Sequence, residues 1–121
     1  MILLDTNILI EILKNNQETI KIVQNFNGEL AISSVISMEL IYGAFNKAEI
    51  KQIEAFLLSF RIIWIDSKIS KKAYNLIKEY SKSHNLDIPD SLIAATAIEN
   101  SAELFTYNIK DFKFIKGLKF V

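Results

Sequence analysis

The chain has 121 residues, half of them hydrophobic, which suits one domain with a single core. It contains no cysteine, which excludes disulfides, thiolate nucleophiles and cysteine-ligated zinc and fits a reducing compartment, so we expect the cytoplasm. Its 14 basic and 14 acidic residues balance, so net charge alone does not indicate a nucleic-acid binder. We expect neither a signal peptide nor a transmembrane helix, because acidic residues interrupt the N-terminal apolar run and no apolar stretch is long enough.

The first half of the chain alternates short apolar strands with helical patterns. In chain order, the predicted elements are a strand over Ile2–Leu4, helices over Thr6–Lys14 and Gln17–Phe26, a strand over Leu30–Ser33 and a helix over Val35–Phe45. Asn27-Gly28 is a turn signal that separates the second helix from the second strand. Ser34 is the predicted N-cap of the helix that follows.

The second half continues the alternation. Its predicted elements are a helix over Lys47–Phe60, a strand over Arg61–Ile65, helices over Ser67–Ser83 and Asp90–Asn100, and strands over Leu104–Thr106 and Leu118–Phe120. Pro89 suits the first position of the last helix. The whole pattern predicts a single α/β domain in which helices flank a mostly parallel sheet of four to five strands.

Four acidic residues have both a local and a functional explanation. Asp5 follows the first strand, at the sheet edge where parallel α/β folds bind ligands, but it is also a candidate N-cap. Glu39 lies in a helix that is apolar nearly all round, so we expect a buried carboxylate with a partner or a metal, the alternative being an exposed helix edge. The helix dipole explains Asp90 equally well. Asp111, three residues after Asn108, resembles part of a capping box.

If these four acids lie close together, their carboxylates repel one another. At about 5 Å and an effective dielectric constant of about 20, each ionised pair costs roughly 3 kcal/mol. Such a cluster requires protons or a cation, and oxygen ligands without histidine or cysteine select Mg²⁺ or Mn²⁺. Removing four acids from the surface leaves 10 against 14 bases, so the remaining surface would carry a net charge of +4.

Four segments of the sequence, in this order and spacing, carry a family resemblance that covers essentially the whole chain: LLDTNILIE, ISMELIYG, IPDSLIAATA and LFTYNIKDF. They resemble the PIN-domain ribonucleases, specifically the VapC-type toxins of toxin–antitoxin modules. The resemblance implies a PIN-like three-layer sandwich. It also implies an endoribonuclease that hydrolyses phosphodiester bonds in RNA with Mg²⁺, for which Mn²⁺ can substitute.

The resemblance places Asp5, Glu39, Asp90 and Asp111 at the four acidic catalytic and metal-binding positions. Asp5 and Asp90 are expected to be the principal ligands. The pocket residues that it implies are Thr6, Asn7, Thr106 and Asn108, with Thr106 and Asn108 lining the pocket. Asp87 is expected to be peripheral, and Tyr107 replaces an arginine that many relatives carry, which removes one phosphate contact.

The resemblance further implies a homodimer and a cognate VapB-type antitoxin whose tail occludes the acidic pocket. The apolar surplus of the composition is consistent with both partners. The candidate interface helices are Val35–Phe45 and Lys47–Phe60, because Ile41, Tyr42, Phe45 and Phe56 exceed the needs of one core. Their burial in that core is the equally good alternative.

The lysines divide into two groups as candidate RNA contacts. The first group forms one side of a helix and is most simply a solvated face: Lys68, Lys71, Lys72, Lys78 and Lys82. The second group lies nearer the acids and is the better candidate for phosphate binding: Lys110, Lys113, Lys116 and Lys119. His84 has no ligand partner at a suitable spacing, so we interpret it as structural or exposed.

Three other functions are considered. A haloacid-dehalogenase phosphatase requires a second aspartate two residues after the nucleophile, where Asn7 stands. A response-regulator receiver would use Asp66 as phosphoacceptor, but it needs an acidic pair that Asp5-Thr6 does not supply. A PIN-like module that binds RNA or protein without cleavage is disfavoured by the presence of all four acids, and metal-dependent cleavage would distinguish it.

Overall fold

A five-stranded sheet forms the centre of the computed structural model, which describes all residues from Met1 to Val121. The strands are Ile2–Leu4 (β1), Leu30–Ser33 (β2), Arg61–Ile63 (β3), Glu103–Phe105 (β4) and Lys119–Phe120 (β5). Their order across the sheet is β3-β2-β1-β4-β5, and every neighbouring pair is parallel. The prediction of a mostly parallel sheet is therefore confirmed, and all five predicted strands are present.

Helices cover both faces of the sheet, as parallel strands require. They are Thr6–Leu13 (α1), Gln17–Gln24 (α2), Ser34–Tyr42 (α3), Lys47–Leu57 (α4), Ser67–His84 (α5) and Ile88–Glu99 (α6), followed by a 3₁₀ turn at Ile109–Asp111. The predicted ends at Phe26, Phe45 and Phe60 were two to three residues too late. Phe26 and Phe60 lie beyond the ends of their helices but still pack against the core. The apolar spacing in the sequence therefore continues past the last helical residue.

Two helix starts differ from the prediction because another residue caps them. Ser33, not Ser34, caps α3 by accepting the N–H of Val35 at 3.2 Å. Ser34 instead accepts the N–H of Ile65 at 3.2 Å, which ties the start of α3 to the chain beyond β3. Asp87 caps α6, so this helix begins at Ile88 and Pro89 is its second residue.

The core lies between the sheet and the two helix layers. Helix α6 lies in the centre of the core, because its small side chains allow neighbouring elements to approach closely. Its residues Ala94, Ala95 and Ala97 are completely buried. Leu3 and Leu4 of β1 are also completely buried, since β1 is the central strand. No helix of the chain combines the length and the hydrophobicity needed to cross a lipid bilayer.

Candidate active site

A polar cavity of about 250 Å³ opens at the carboxyl edge of the sheet, beside the ends of β1 and β4. All four acids singled out in the sequence line it: Asp5, Glu39, Asp90 and Asp111. Each belongs to a different part of the chain, and the parallel topology brings the ends of β1 and β4 together at one edge. Thr6, Asn7 and Asn108 also line the cavity, as expected.

Asp5 forms the floor of this cavity and is only 6% exposed. Its Oδ1 accepts the N–H of Thr6 at 2.8 Å, which also caps α1. Its Oδ2 accepts the hydroxyl of Thr106 at 2.7 Å and the amide of Asn7 at 3.2 Å. Burial raises the pKa of Asp5, whereas these three hydrogen bonds lower it. The capping and functional interpretations of Asp5 are thus compatible.

Thr106 holds Asp5 and does not line the cavity, which corrects its expected position. The residue is 4% exposed, and its hydroxyl points to the Asp5 carboxylate. The same hydroxyl accepts the N–H of Asn108 at 3.0 Å, so it also shapes the loop that follows β4. Thr106 is therefore a positioning residue, because parallel pairing leaves its side chain beside that of Asp5.

Asn7 links the loop after β4 to the start of α1. Its Nδ2 donates to Asp5 and, at 3.2 Å, to the Thr106 hydroxyl, while its Oδ1 accepts the N–H of Tyr107 at 3.1 Å. The Tyr107 side chain points away to α2, where its hydroxyl lies 2.6 Å from that of Thr19. Tyr107 therefore contacts α2 and does not line the cavity.

Glu39 is exposed, so the expectation of a buried carboxylate was wrong. The surrounding helix is apolar, but Met38 and Tyr42 share its exposed side, which shows why composition misled the prediction. The Oε1 of Glu39 accepts the hydroxyl of Thr6 at 3.2 Å. This contact holds the carboxylate at the rim of the cavity, opposite the start of α1.

Asp90 is the third residue of α6 and half-buried at the cavity wall. Its pKa is raised from 3.8 to about 7, and loss of solvent contact is the largest cause. Neighbouring negative charges add to the shift in the order Asp87, Asp5, Asp111 and Glu39. Since all three other cavity acids contribute, the carboxylates affect one another electrostatically, as the sequence led us to expect.

Asp87 affects this site more than its expected peripheral role implied. It is exposed and lies outside the cavity, but its Oδ1 accepts the N–H of Asp90 at 2.9 Å. Its charge is the largest electrostatic contribution to the raised pKa of Asp90. The signal was present in the sequence, because an aspartate three residues before another, just ahead of a helix, is an N-cap pattern.

Asp111 has no capping function, which removes its local explanation. Asn108 makes no side-chain cap to the 3₁₀ turn, so no capping box forms. The Asp111 side chain is exposed and lines both the acidic cavity and a neighbouring polar cleft. Asp66, by contrast, caps α5 by accepting the N–H of Ile69 at 2.9 Å and lies outside the cavity.

The donor set of the cavity fits a hard divalent cation. Every ionisable ligand is a carboxylate, with hydroxyl and amide oxygens beside them and no histidine or cysteine. No three acidic side chains stand at metal-ligating distance from one another in the present side-chain positions. Mg²⁺ tolerates this, because it keeps several of its waters and binds through one or two carboxylates. Part of the rise in the pKa of Asp90, after the larger effect of burial, comes from neighbouring carboxylates, whose charge a cation would offset.

The comparisons with known proteins agree with this geometry. Residues 2–117 match the PIN domain family. The chain is 34% identical to ribonuclease VapC10 of Mycobacterium tuberculosis, over 98% of this chain and 91% of that protein. It is 31% identical to the tRNA(fMet)-specific endonuclease VapC of Shigella flexneri, over 97% of this chain and 93% of that protein.

The solved structures give the same result for the fold. VapBC2 of Rickettsia felis, solved with a DNA fragment from its promoter, matches with a TM-score of 0.85 and 31% identity. The match covers 100% of this chain and 98% of that one. The chain therefore belongs to the PIN domain family, in its VapC ribonuclease group.

Proposed function

We propose that this chain is a Mg²⁺-dependent endoribonuclease and the toxin of a VapBC-type toxin–antitoxin system. The observation that supports the proposal most strongly is the meeting of four carboxylates from separate parts of the chain in one cavity. No ion pair compensates their charge, because the single salt bridge of the chain joins Arg61 to Glu29. A divalent cation would balance the negative charge of the four carboxylates and could bind the phosphodiester of the substrate.

Asp5 and Asp90 would hold the cation, since they are the two of the four cavity acids with restricted access to solvent. When bound, the ion would supply Lewis acidity toward the phosphate and activate water for phosphodiester hydrolysis. Thr106, Asn7 and the N–H of Thr6 keep the Asp5 carboxylate in one orientation through three short contacts. Glu39 and Asp111 lie at the exposed rim, where they can orient water or accept a proton.

The proposal is tested by cleavage of RNA by the purified chain. We expect cleavage in Mg²⁺ or Mn²⁺ and none in EDTA, with Asp5→Asn and Asp90→Asn at least 100-fold slower. Asp66→Asn is the matched control, because it makes the same substitution at a helix cap outside the cavity. If the folded Asp5 and Asp90 variants cleave as well as the native chain, the site is misassigned. RNA binding without any cleavage would favour the catalytically silent PIN-like module.

The antitoxin is the proposed protein partner, since the matched structure from Rickettsia felis is a VapBC complex. An apolar cavity of about 560 Å³ between α3, α4 and β3 is a candidate contact surface. Its walls include Leu58 and Trp64, which are 86% and 69% exposed. The Ser37 hydroxyl in the same cavity is buried and has no hydrogen-bond partner. A docked segment would cover the apolar side chains and supply that partner.

This contact is tested by co-purification with the small protein encoded beside the gene. We expect Leu58→Asp to abolish the complex while RNA cleavage persists, because the residue is exposed and lies outside the acidic cavity. The matched substitution Leu13→Asp, at another exposed leucine, should leave the complex intact. Retention of the complex by Leu58→Asp would exclude this surface.

The homodimer is proposed through the end of α3. Tyr42 and Phe45 are 93% and 92% exposed, whereas Ile41 and Phe56 pack against the core. Exposed aromatic side chains of this size are typical of protein interfaces. We expect a dimer in sedimentation at micromolar concentration and a monomer for the Tyr42→Ser/Phe45→Ser variant. A monomeric native chain would contradict the proposal.

A further inference from the structure

A second polar cleft, of about 290 Å³, adjoins the acidic cavity. The two share Asp90 and Asp111 in their walls, so a chain lying across the acids continues directly into this cleft. The remaining lining residues are His84, Asn85, Leu86, Asp87 and Lys110. The cleft is a surface feature and not a packing defect, because six of its seven lining residues are polar.

His84 is exposed but held in a defined position, which a merely solvated histidine would not need. Its ring stacks on Phe114 with centroids 4.3 Å apart and planes 11° from parallel. Its Nδ1 lies 2.7 Å from the Ser83 hydroxyl, and Tyr80 packs against it edge to face. Tyr80 is itself anchored, because its hydroxyl accepts the N–H of Lys116 at 3.2 Å.

The backbone beside this ring is equally constrained. Asn85 ends α5 in the left-handed conformation, with φ of 56°, and the next residue, Leu86, is buried. Both His84 and Asn85, at this turn, line the cleft. A preordered surface loses little conformational entropy when it binds a ligand.

Lys110 is the one lysine or arginine that lines either the acidic cavity or the cleft. It lies directly before Asp111, so a phosphate that it binds would be next to a phosphate held at the acids. Single-stranded RNA supplies this combination, with a charge at each phosphate and flat bases that stack on aromatic or histidine rings.

We infer that this cleft is the binding subsite for the nucleotide next to the scissile phosphodiester. In this subsite Lys110 pairs with the phosphate, and the exposed face of His84 stacks on the base, with Asn85 facing the base edge. The inference rests on the proposed ribonuclease function, and it gives His84 a binding role, whereas the sequence led us to interpret this residue as structural or exposed. It also limits the substrate to RNA that is single-stranded at the cleavage site.

The subsite is tested by fluorescence anisotropy with a labelled single-stranded RNA in Mg²⁺. The parent protein is the slowly cleaving Asp90→Asn variant, so that binding is measured before much of the RNA is cleaved. We expect Lys110→Ala to weaken binding at least fivefold and to reduce the slope of log K against log salt by about 0.7, the value for one phosphate contact on a single strand. Lys71→Ala, which removes an exposed lysine from α5, is the matched control and should change binding less than twofold.

A pair of substitutions separates stacking from a structural role of His84. We expect His84→Ala to weaken RNA binding at least fivefold, since base stacking on such platforms typically contributes that much. His84→Phe should retain most of the affinity, because it keeps a flat ring on Phe114. Thermal unfolding of both variants checks that the loss is not a loss of folded protein.

The outcomes distinguish the subsite from the proposed function. If the parent binds RNA but the Lys110 and His84 variants bind as tightly as the Lys71 control, the subsite is excluded and the ribonuclease proposal stands. If the native chain neither cleaves nor binds RNA, both are overturned. Equal binding of double-stranded and single-stranded RNA would likewise contradict the subsite, because paired bases cannot reach the His84 ring.

Discussion

The hydroxyl of Thr106 donates a 2.7 Å hydrogen bond to Oδ2 of Asp5, across 101 positions of the chain. The contact follows from the register of the sheet, in which Leu4 of β1 lies beside Phe105 of β4. The residues that follow these two therefore leave the sheet side by side. These residues are Asp5 and Thr106, so the buried carboxylate of Asp5 has a hydroxyl hydrogen-bond donor beside it.

This contact predicts the effect of Thr106→Val. The substitution removes a hydrogen bond that lowers the pKa of Asp5, so that pKa should rise further above its usual range. We expect roughly tenfold slower RNA cleavage, a shift of the acidic limb of the pH–rate profile to higher pH, and a stability loss of about 1–3 kcal/mol. Thr106→Ser, which keeps the donor, should restore the profile. An unchanged profile in the valine variant would refute the positioning role.

Asp90 predicts an unusual dependence of stability on pH. Its pKa of about 7 in the fold exceeds the unfolded value of 3.8, so the folded state holds this proton more tightly. Its contribution to stability is therefore full below about pH 4, falls as pH rises toward 7 and is lost above it. Partial exposure screens the effect, which leaves roughly 1–2 kcal/mol.

Above pH 7 the ionised Asp90 carboxylate is less stable in the folded chain than in the unfolded chain, which lowers the stability of the fold. Asp90→Asn removes this unfavourable charge, so the variant should unfold a few degrees above the native chain at pH 8 in EDTA. The difference should become small near pH 3, where Asp90 is protonated in the folded state and mostly protonated in the unfolded state. Thermal unfolding by circular dichroism at the two pH values measures it. Asp66→Asn, which lies outside the cavity, is the control and should not raise the unfolding temperature at pH 8. A destabilised Asp90→Asn at pH 8 would contradict the assignment.

The cation predicts a second stability effect. Mg²⁺ that binds only the folded chain should raise stability by about 1.4 kcal/mol for each tenfold excess over its dissociation constant. The gain should be largest at pH 8 and small at pH 5, because the proton on Asp90 competes with the ion. Asp5→Asn should abolish the gain, and NaCl of equal ionic strength is the control. Equal stabilisation by NaCl would indicate nonspecific screening.

Asp111 and Asp66 predict opposite consequences of removing an aspartate. Asp66→Ala removes the N-cap of α5 and should cost about 1 kcal/mol of stability, with cleavage retained by the folded protein. Asp111→Asn removes no cap and should leave stability within about 0.5 kcal/mol, but should slow cleavage at least tenfold. Urea unfolding and cleavage rates together measure both. If Asp111→Asn cleaves at the native rate, Asp111 does not belong to the site.

The sequence was sufficient to single out the four acids that line the cavity, but not to predict their environment. Asp5 and Asp111 were identified through strand ends, loop position and family motifs, and both line the cavity. The burial of Glu39 was wrongly predicted, because an apolar helix does not reveal which of its sides meets solvent. The contact between Tyr107 and Thr19 was also not predictable from the sequence, because it depends on where α2 packs.

Local patterns were sufficient for the secondary structure. Short apolar runs, helical periodicity and turn residues act over a few neighbours, so all five strands and all six helices follow from them. Helix ends were less accurate, since a cap such as Ser33 or Asp87 competes with an equally suitable neighbour one to three residues away.

The site itself depended on contacts between distant segments. No local pattern specifies that β1 lies between β2 and β4, yet this order alone brings Thr106 to Asp5 and Asp111 to the same cavity as Asp90. The stacking of His84 on Phe114 is equally non-local. The sequence by itself determines which functional groups are present. Their burial, pKa values and hydrogen-bond partners are decided by the tertiary structure, because packing removes water and sets neighbours at fixed distances.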